Sequence, residues 1–117
     1  MNVQFQTENG LTVIRPEFNS LDVSTARAFR RVVMDNVPHD ARAILDMTRV
    51  EFVDSTGCGA ILGCMKYFHV EGAGSGGLKL CMLAPPVRAL FEMVRLHKIV
   101  EIYNTKDEAV RAYCVAS

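Results

Sequence analysis

From residue 17 onward, stretches with helical spacing alternate with short apolar runs. No other feature constrains the fold of this chain more. Ala26, Phe29, Val33 and Val37 share one helical face. Asp22 or Ser24 stands ahead of them as a candidate cap for the free N–H groups of a helix start, and Pro38 closes the segment near Asn36. "AILDM" (43–47) then reads as a buried strand, and "VEFVD" (50–54) as a loop or strand end. A second helix is predicted after Thr56, with Ile61, Leu62, Met65 and Phe68 inward. "GAGSGG" (72–77) is a loop, and "LKLCML" (78–83) alternates as a strand does until Pro85-Pro86 breaks it. Proline is tolerated in a first helical turn. Val87, Leu90, Phe91 and Val94 follow at helical spacing. "IVEIY" (99–103) is the last strand, and Thr105 with Glu108 forms a capping box opening a helix that turns Ala109, Val110 and Tyr113 inward.

Ahead of this alternation, "VQFQT" (3–7) and "LTVIR" (11–15) flank Asn9-Gly10, a strong hairpin signal, and Pro16 ends the second strand. The predicted order is β-β-α-β-α-β-α-β-α. Alternation of this kind favours parallel strands joined by helical crossovers, which must be right-handed. The expectation is therefore an α/β fold: a mostly parallel central sheet with an antiparallel N-terminal strand and about four helices. No repeat or linker divides the chain, so residues 1–117 are read as one domain.

A length of 117 residues, half of them hydrophobic, suits one modest core. The 13 basic and 13 acidic residues cancel, which gives no general pull toward nucleic acid or membrane. No apolar run spans a bilayer, and "MNVQFQTENG" lacks a basic-then-apolar leader, so a cytoplasmic location is expected. Cys58, Cys64, Cys81 and Cys114 sit among apolar neighbours without ligand spacing and read as buried free thiols. His39, His69 and His97 are scattered, so no metal site and no cofactor is expected.

Chemistry has few places to reside. Gly72, Gly74 and Gly77 match G-x-G-x-x-G, but they follow a helix and precede a strand, the wrong order for a dinucleotide site. Val53 and Gly57 flank Ser55 where a hydrolase elbow needs two glycines. Asp46, Glu51 and Asp54 are read as strand-end and turn residues rather than a metal cluster. What remains is "DSTGCGAIL" (54–62), an acid and two adjacent hydroxyls at a strand-to-helix turn. A helix start needs one cap; a second hydroxyl is left over, at a place that favours negative charge. A phosphoryl group there adds about −1.5 to −2 charges. Gly57 and Gly59 leave little side chain around the turn, so another protein can approach closely.

The stretch "ILDMTRVEFVDSTGCGAILGCMKYF" resembles the STAS domain of bacterial anti-sigma factor antagonists, whose strand and loop lead into D-S-[ST]-G-x-G and an apolar helix. The resemblance extends through "GGLKLCMLAPPVRALFEMVRLHKIVEIYNTKDEAV" and, upstream, "LDVSTARAF", so it covers nearly the whole chain. It implies a non-enzymatic regulator. In the family the first hydroxyl after the acid, here Ser55, is phosphorylated by a serine kinase that is also the anti-sigma factor. The unphosphorylated antagonist binds the kinase and frees the sigma factor, and a PP2C-type phosphatase resets the switch. Asp22, Asp54, Ser55, Thr56 and Gly57 are the implied partner-binding residues, with Thr56 as the helix cap. No direct nucleic-acid or membrane contact is implied, and a homodimer is compatible. The alternative reading is a non-switching STAS scaffold or interaction module in a signalling or transport assembly. Two departures stand out. "PEFNSLD" lacks the family's glycine before L-D, and Arg95-Leu96 replaces Gly-Leu after the third helix. A glycine there takes the left-handed conformation easily, so Arg95 is expected to end the helix in another way.

Overall fold

The computed structural model describes residues 1–68 and 77–115, the last of these by its backbone alone. The hairpin opens the chain: β1 (Val3–Glu8) and β2 (Leu11–Pro16) pair antiparallel in the register Glu8↔Leu11. Asn9 and Gly10 both have positive φ, 53° and 77°, the backbone that a two-residue turn of right-twisted strands requires. The chain then forms β3 (Ser20–Leu21), α1 (Ala26–Asn36), β4 (Arg42–Asp46), β5 (Phe52–Val53) and α2 (Ser55–Phe68). It ends with β6 (Gly77–Cys81), α3 (Pro85–Met93), a 3₁₀ turn (Leu96–Lys98), β7 (Glu101–Tyr103) and α4 (Lys106–Val115). The main sheet runs β1-β2-β4-β6-β7, and every pair after the hairpin is parallel. This is the expected α/β architecture, with four helices.

Side-chain alternation along the strands builds two cores. Ile14, Ala43, Leu45, Leu78 and Leu80 face one way and pack with Phe29 and Val33 of α1, Ile61 and Phe68 of α2, and Val87 and Phe91 of α3. Leu11, Val13, Ile44 and Cys81 face the other way, under Ala109, Val110 and Tyr113 of α4. Fully burying one such aliphatic or aromatic side chain stabilises a fold by roughly 1.5–3 kcal/mol. Three helices thus cover one face and one covers the other. Lys79 lies on the α4 side, with its Nζ 2.7 Å from Glu101 Oε2 and over the Tyr113 ring.

The helical faces read from the sequence hold in α1 and α4 and shift elsewhere. In α2 the buried stripe is Cys58, Ile61, Cys64 and Phe68, whereas Leu62 and Met65 lie half-buried at its edge. Val94, placed on the α3 face by spacing, is 50% exposed, because α3 ends at Met93. Arg95 itself takes the left-handed conformation, φ 62° and ψ 25°, so the arginine occupies the glycine's role instead of avoiding it. Cys58, Cys64 and Cys81 are buried, and burial raises the thiols of Cys64 and Cys81 to about 11 and about 12. Cys114 is exposed, contrary to expectation. His69 and most of the 72–77 loop lie outside the described residues. Among the described residues, no helix is long and apolar enough to cross a membrane.

Candidate functional site

Two strands of two residues each build the corner that matters. β3 and β5 pair parallel, Ser20↔Phe52 and Leu21↔Val53, and form a separate small sheet. The pairing holds the segment ahead of α1 against the segment ahead of α2. Asp54 N–H donates to the Leu21 carbonyl at 3.3 Å. The same carbonyl sits over Gly57: a Cβ there would lie 2.1 Å from Leu21 O. Only hydrogen fits at Gly57, which is buried, so it sets the close approach of α2 to β3 from inside the corner.

Asp54 closes the N-terminus of α2. Its Oδ1 accepts the Gly57 N–H at 2.8 Å, and its carbonyl accepts the Cys58 N–H at 2.9 Å, the pattern of an N-cap and its first helical bond. Oδ2 accepts the Val23 N–H at 3.2 Å. One carboxylate therefore caps α2 and clamps it to the turn before α1. The expectation that Thr56 caps the helix is overturned: α2 already begins at Ser55, and the Cys58 N–H is taken by the Asp54 carbonyl. Ser55 and Thr56 are both exposed, and neither hydroxyl makes a hydrogen bond to a protein group among the described residues. Two hydroxyls, not one, are left open.

The turn before α1 is the other half of the corner. Asp22 Oδ2 accepts from the Ser20 hydroxyl at 2.6 Å. Its Oδ1 accepts from the Ser24 hydroxyl at 2.6 Å and from the Ser24 N–H at 2.9 Å. These donors, the Ser20 hydroxyl foremost, hold the Asp22 carboxyl down to about 2, so it is charged at neutral pH. Its backbone carbonyl takes the N–H groups of Thr25 and Ala26, at 3.0 and 2.8 Å. Asp22 thus organises a turn just ahead of the helix, whereas the sequence offered it as a direct cap. Thr25 is the residue at the helix boundary, without a side-chain cap bond.

Of the residues singled out from sequence, the fold brings Asp22, Asp54, Ser55 and Thr56 to one corner, over buried Gly57. Asp46 is elsewhere, buried at the end of β4, where it accepts the Thr48 N–H at 3.0 Å. Among the described residues no group of histidine, cysteine and acidic side chains is placed to hold a metal. Sequence reasoning passed over two exposed apolar side chains that flank the corner, Val23 at 76% and Phe52 at 55% exposure. Phe52 could have been found from the alternation in "VEFVD", where Val53 is its buried neighbour.

A family model described as STAS domain matches residues 2–109. The chain belongs to the STAS domain family. A curated relative, the anti-sigma F factor antagonist of Paenibacillus polymyxa, is 30% identical to this STAS domain over 121 aligned positions that cover all of both chains. Among solved structures, an anti-sigma factor antagonist from Mycobacterium paratuberculosis superposes with a TM-score of 0.82 at 20% identity, over 96% of this chain and 92% of that one. The anti-sigma factor antagonist SpoIIAA, solved in its unphosphorylated form, gives 0.68 at 26% identity over 93% of each chain. SpoIIAA of Bacillus has also been solved in a phosphorylated form, with a TM-score of 0.63 at 25% identity over 95% of this chain and 98% of that one.

Proposed function

We propose that this STAS domain, residues 1–117 acting as one unit in the cytoplasm, is a non-enzymatic anti-sigma factor antagonist. Its affinity for a serine kinase that is itself the anti-sigma factor is switched by phosphorylation of Ser55. The observation that carries the reading is the free, exposed Ser55 hydroxyl on the first residue of α2, where capping has passed to Asp54. A hydroxyl without a structural duty can accept a phosphoryl group while the turn stays intact. The names of the relatives and the phosphorylated form of SpoIIAA support the same reading.

The physics of the switch follows from the corner. The kinase transfers the γ-phosphoryl of ATP to Ser55 Oγ, ADP leaves, and the serine proton passes to a base on the kinase. The product carries about −2 beside a helix N-terminus, which tolerates anions, so the fold survives. A bound partner, however, must then desolvate that charge and face Asp22 and Asp54 with it. Burying such a mismatch commonly costs several kcal/mol. A PP2C-type phosphatase hydrolyses the phosphoester and restores binding. Asp22, Asp54, Ser55 and Thr56 present the docking edge, and Gly57 keeps its geometry.

Incubation with the cognate kinase and ATP, followed by mass spectrometric mapping, tests this. One phosphate at Ser55, absent from Ser55→Ala, is expected. Labelling at Thr56 alone would overturn the assignment to Ser55, and no labelling together with no kinase binding would instead favour a non-switching scaffold.

A further inference from the structure

Beside the corner, α1 presents three exposed arginines, Arg27, Arg30 and Arg31. Among the described residues, none of them forms an ion pair with an acid; the pairs present are made by Arg15, Arg49, Lys79 and Lys106. Arg30 is held by helix packing, and the other two line open surface grooves. Arg30 lies across α2 at Gly63, where a Cβ would stand 2.7 Å from its Nε and 2.8 Å from its Cζ. Arg27 lines two adjoining open grooves of about 770 and 350 Å³, and Thr56 lines both as well. Arg31 and Val23 border the larger groove, and Arg30 and Gly59 the smaller. At Gly59 a Cβ would meet nothing within 4 Å, so this face of α2 is bare beside the arginines.

The neighbouring acids do not answer these cations. Asp22 is engaged by Ser20 and Ser24, and Asp54 by Gly57 and Val23. The chain's formal net charge is zero, so the three arginines are a local concentration of charge and not part of a general excess. Guanidinium groups match carboxylates in a planar, two-pronged geometry. A phosphate backbone or an anionic bilayer would carry its negative charge onto Asp22 and Asp54 as well. A folded protein can place single carboxylates on the arginines and spare the acids. Exposed Val23 in the same groove adds an apolar contact suited to a protein surface.

We infer that the Arg27–Arg30–Arg31 face of α1 is the docking strip for an acidic segment, a run of Asp or Glu side chains, on the kinase that phosphorylates Ser55. The inference rests on the function proposed above. It makes the binding surface two-part: α2 presents the switch, and α1 supplies charge that steers and orients the partner.

The test is calorimetric titration of the full chain into the kinase with ADP, at low and high salt. The Arg27→Glu/Arg31→Glu double variant is compared with wild type and with Arg111→Glu, a reversal on α4. Arg30 is left in place because it packs on Gly63. Binding by the double variant should weaken by on the order of 100-fold, with a shallower salt dependence and an unchanged melting temperature, while Arg111→Glu binds as wild type. Partial recovery on reversing acids of the kinase would support it further. Equal affinity of wild type and the double variant overturns the docking strip and leaves the Ser55 switch standing. Failure of wild type to bind the kinase removes the proposed function itself, and the strip with it. Arginine-dependent binding to duplex DNA or to phosphatidylglycerol vesicles in place of the kinase also overturns it.

Discussion

Two of the helices of this STAS domain, α4 and α2, start at turns whose hydroxyl groups serve opposite ends. At α4 the Thr105 hydroxyl accepts the Glu108 N–H at 3.1 Å, and Glu108 Oε1 accepts the Thr105 N–H at 3.0 Å. The hydroxyl and the acid are both consumed in holding the helix start. At α2 the order is inverted: the acid comes first and caps, and the hydroxyls of Ser55 and Thr56 follow as the first helical residues, facing solvent. A hydroxyl that caps cannot be modified without losing a structural bond. A hydroxyl displaced by one residue from the cap can. The difference between a hydroxyl held in a cap and one left free is thus one of register, and the residue types alone do not decide it.

The start of α2 is most vulnerable at Gly57. Gly57→Ala drives a methyl group into the Leu21 carbonyl, and backbone cannot yield cheaply. A loss of about 3 kcal/mol or more in urea unfolding is expected, with the corner displaced. A loss below about 1 kcal/mol would mean that α2 does not press on β3 as described.

The two caps come next. Asp54→Ala should cost about 1–2 kcal/mol and Thr105→Ala about 1 kcal/mol, whereas Ser55→Ala and Thr56→Ala should stay within about 0.5 kcal/mol of wild type. Thermal unfolding of the four variants reads the order directly. A Thr56→Ala cost equal to that of Thr105→Ala would return the cap to Thr56 and erase the contrast between the helices.

Much of this domain could be read from its residues. The Asn9-Gly10 turn, the four helices and the parallel strands follow from local patterns strong enough to survive tertiary context. β3 could not be read, because two residues carry no periodicity; Ser20–Leu21 is a strand only because Phe52–Val53 lies beside it. The cap of α2 was ambiguous for a different reason. Asp, Ser and Thr are all good caps, and apolar spacing leaves a helix start uncertain by a residue or two. What decides it is long-range: Leu21 O over Gly57, and the Val23 N–H on Asp54. Arg95 illustrates the same limit, since its left-handed backbone is imposed by the turn into Leu96 against its own preference.

The proposed function requires Ser55 to carry a signal and no structure. Its most direct test is a paired measurement on one sample, before and after stoichiometric phosphorylation at Ser55: affinity for the kinase with ADP by calorimetry, and unfolding free energy by urea. Affinity should fall by on the order of 100-fold or more, while stability should move by less than about 0.5 kcal/mol. Equal affinity in the two states, or a loss of binding matched by a loss of folding, would contradict it.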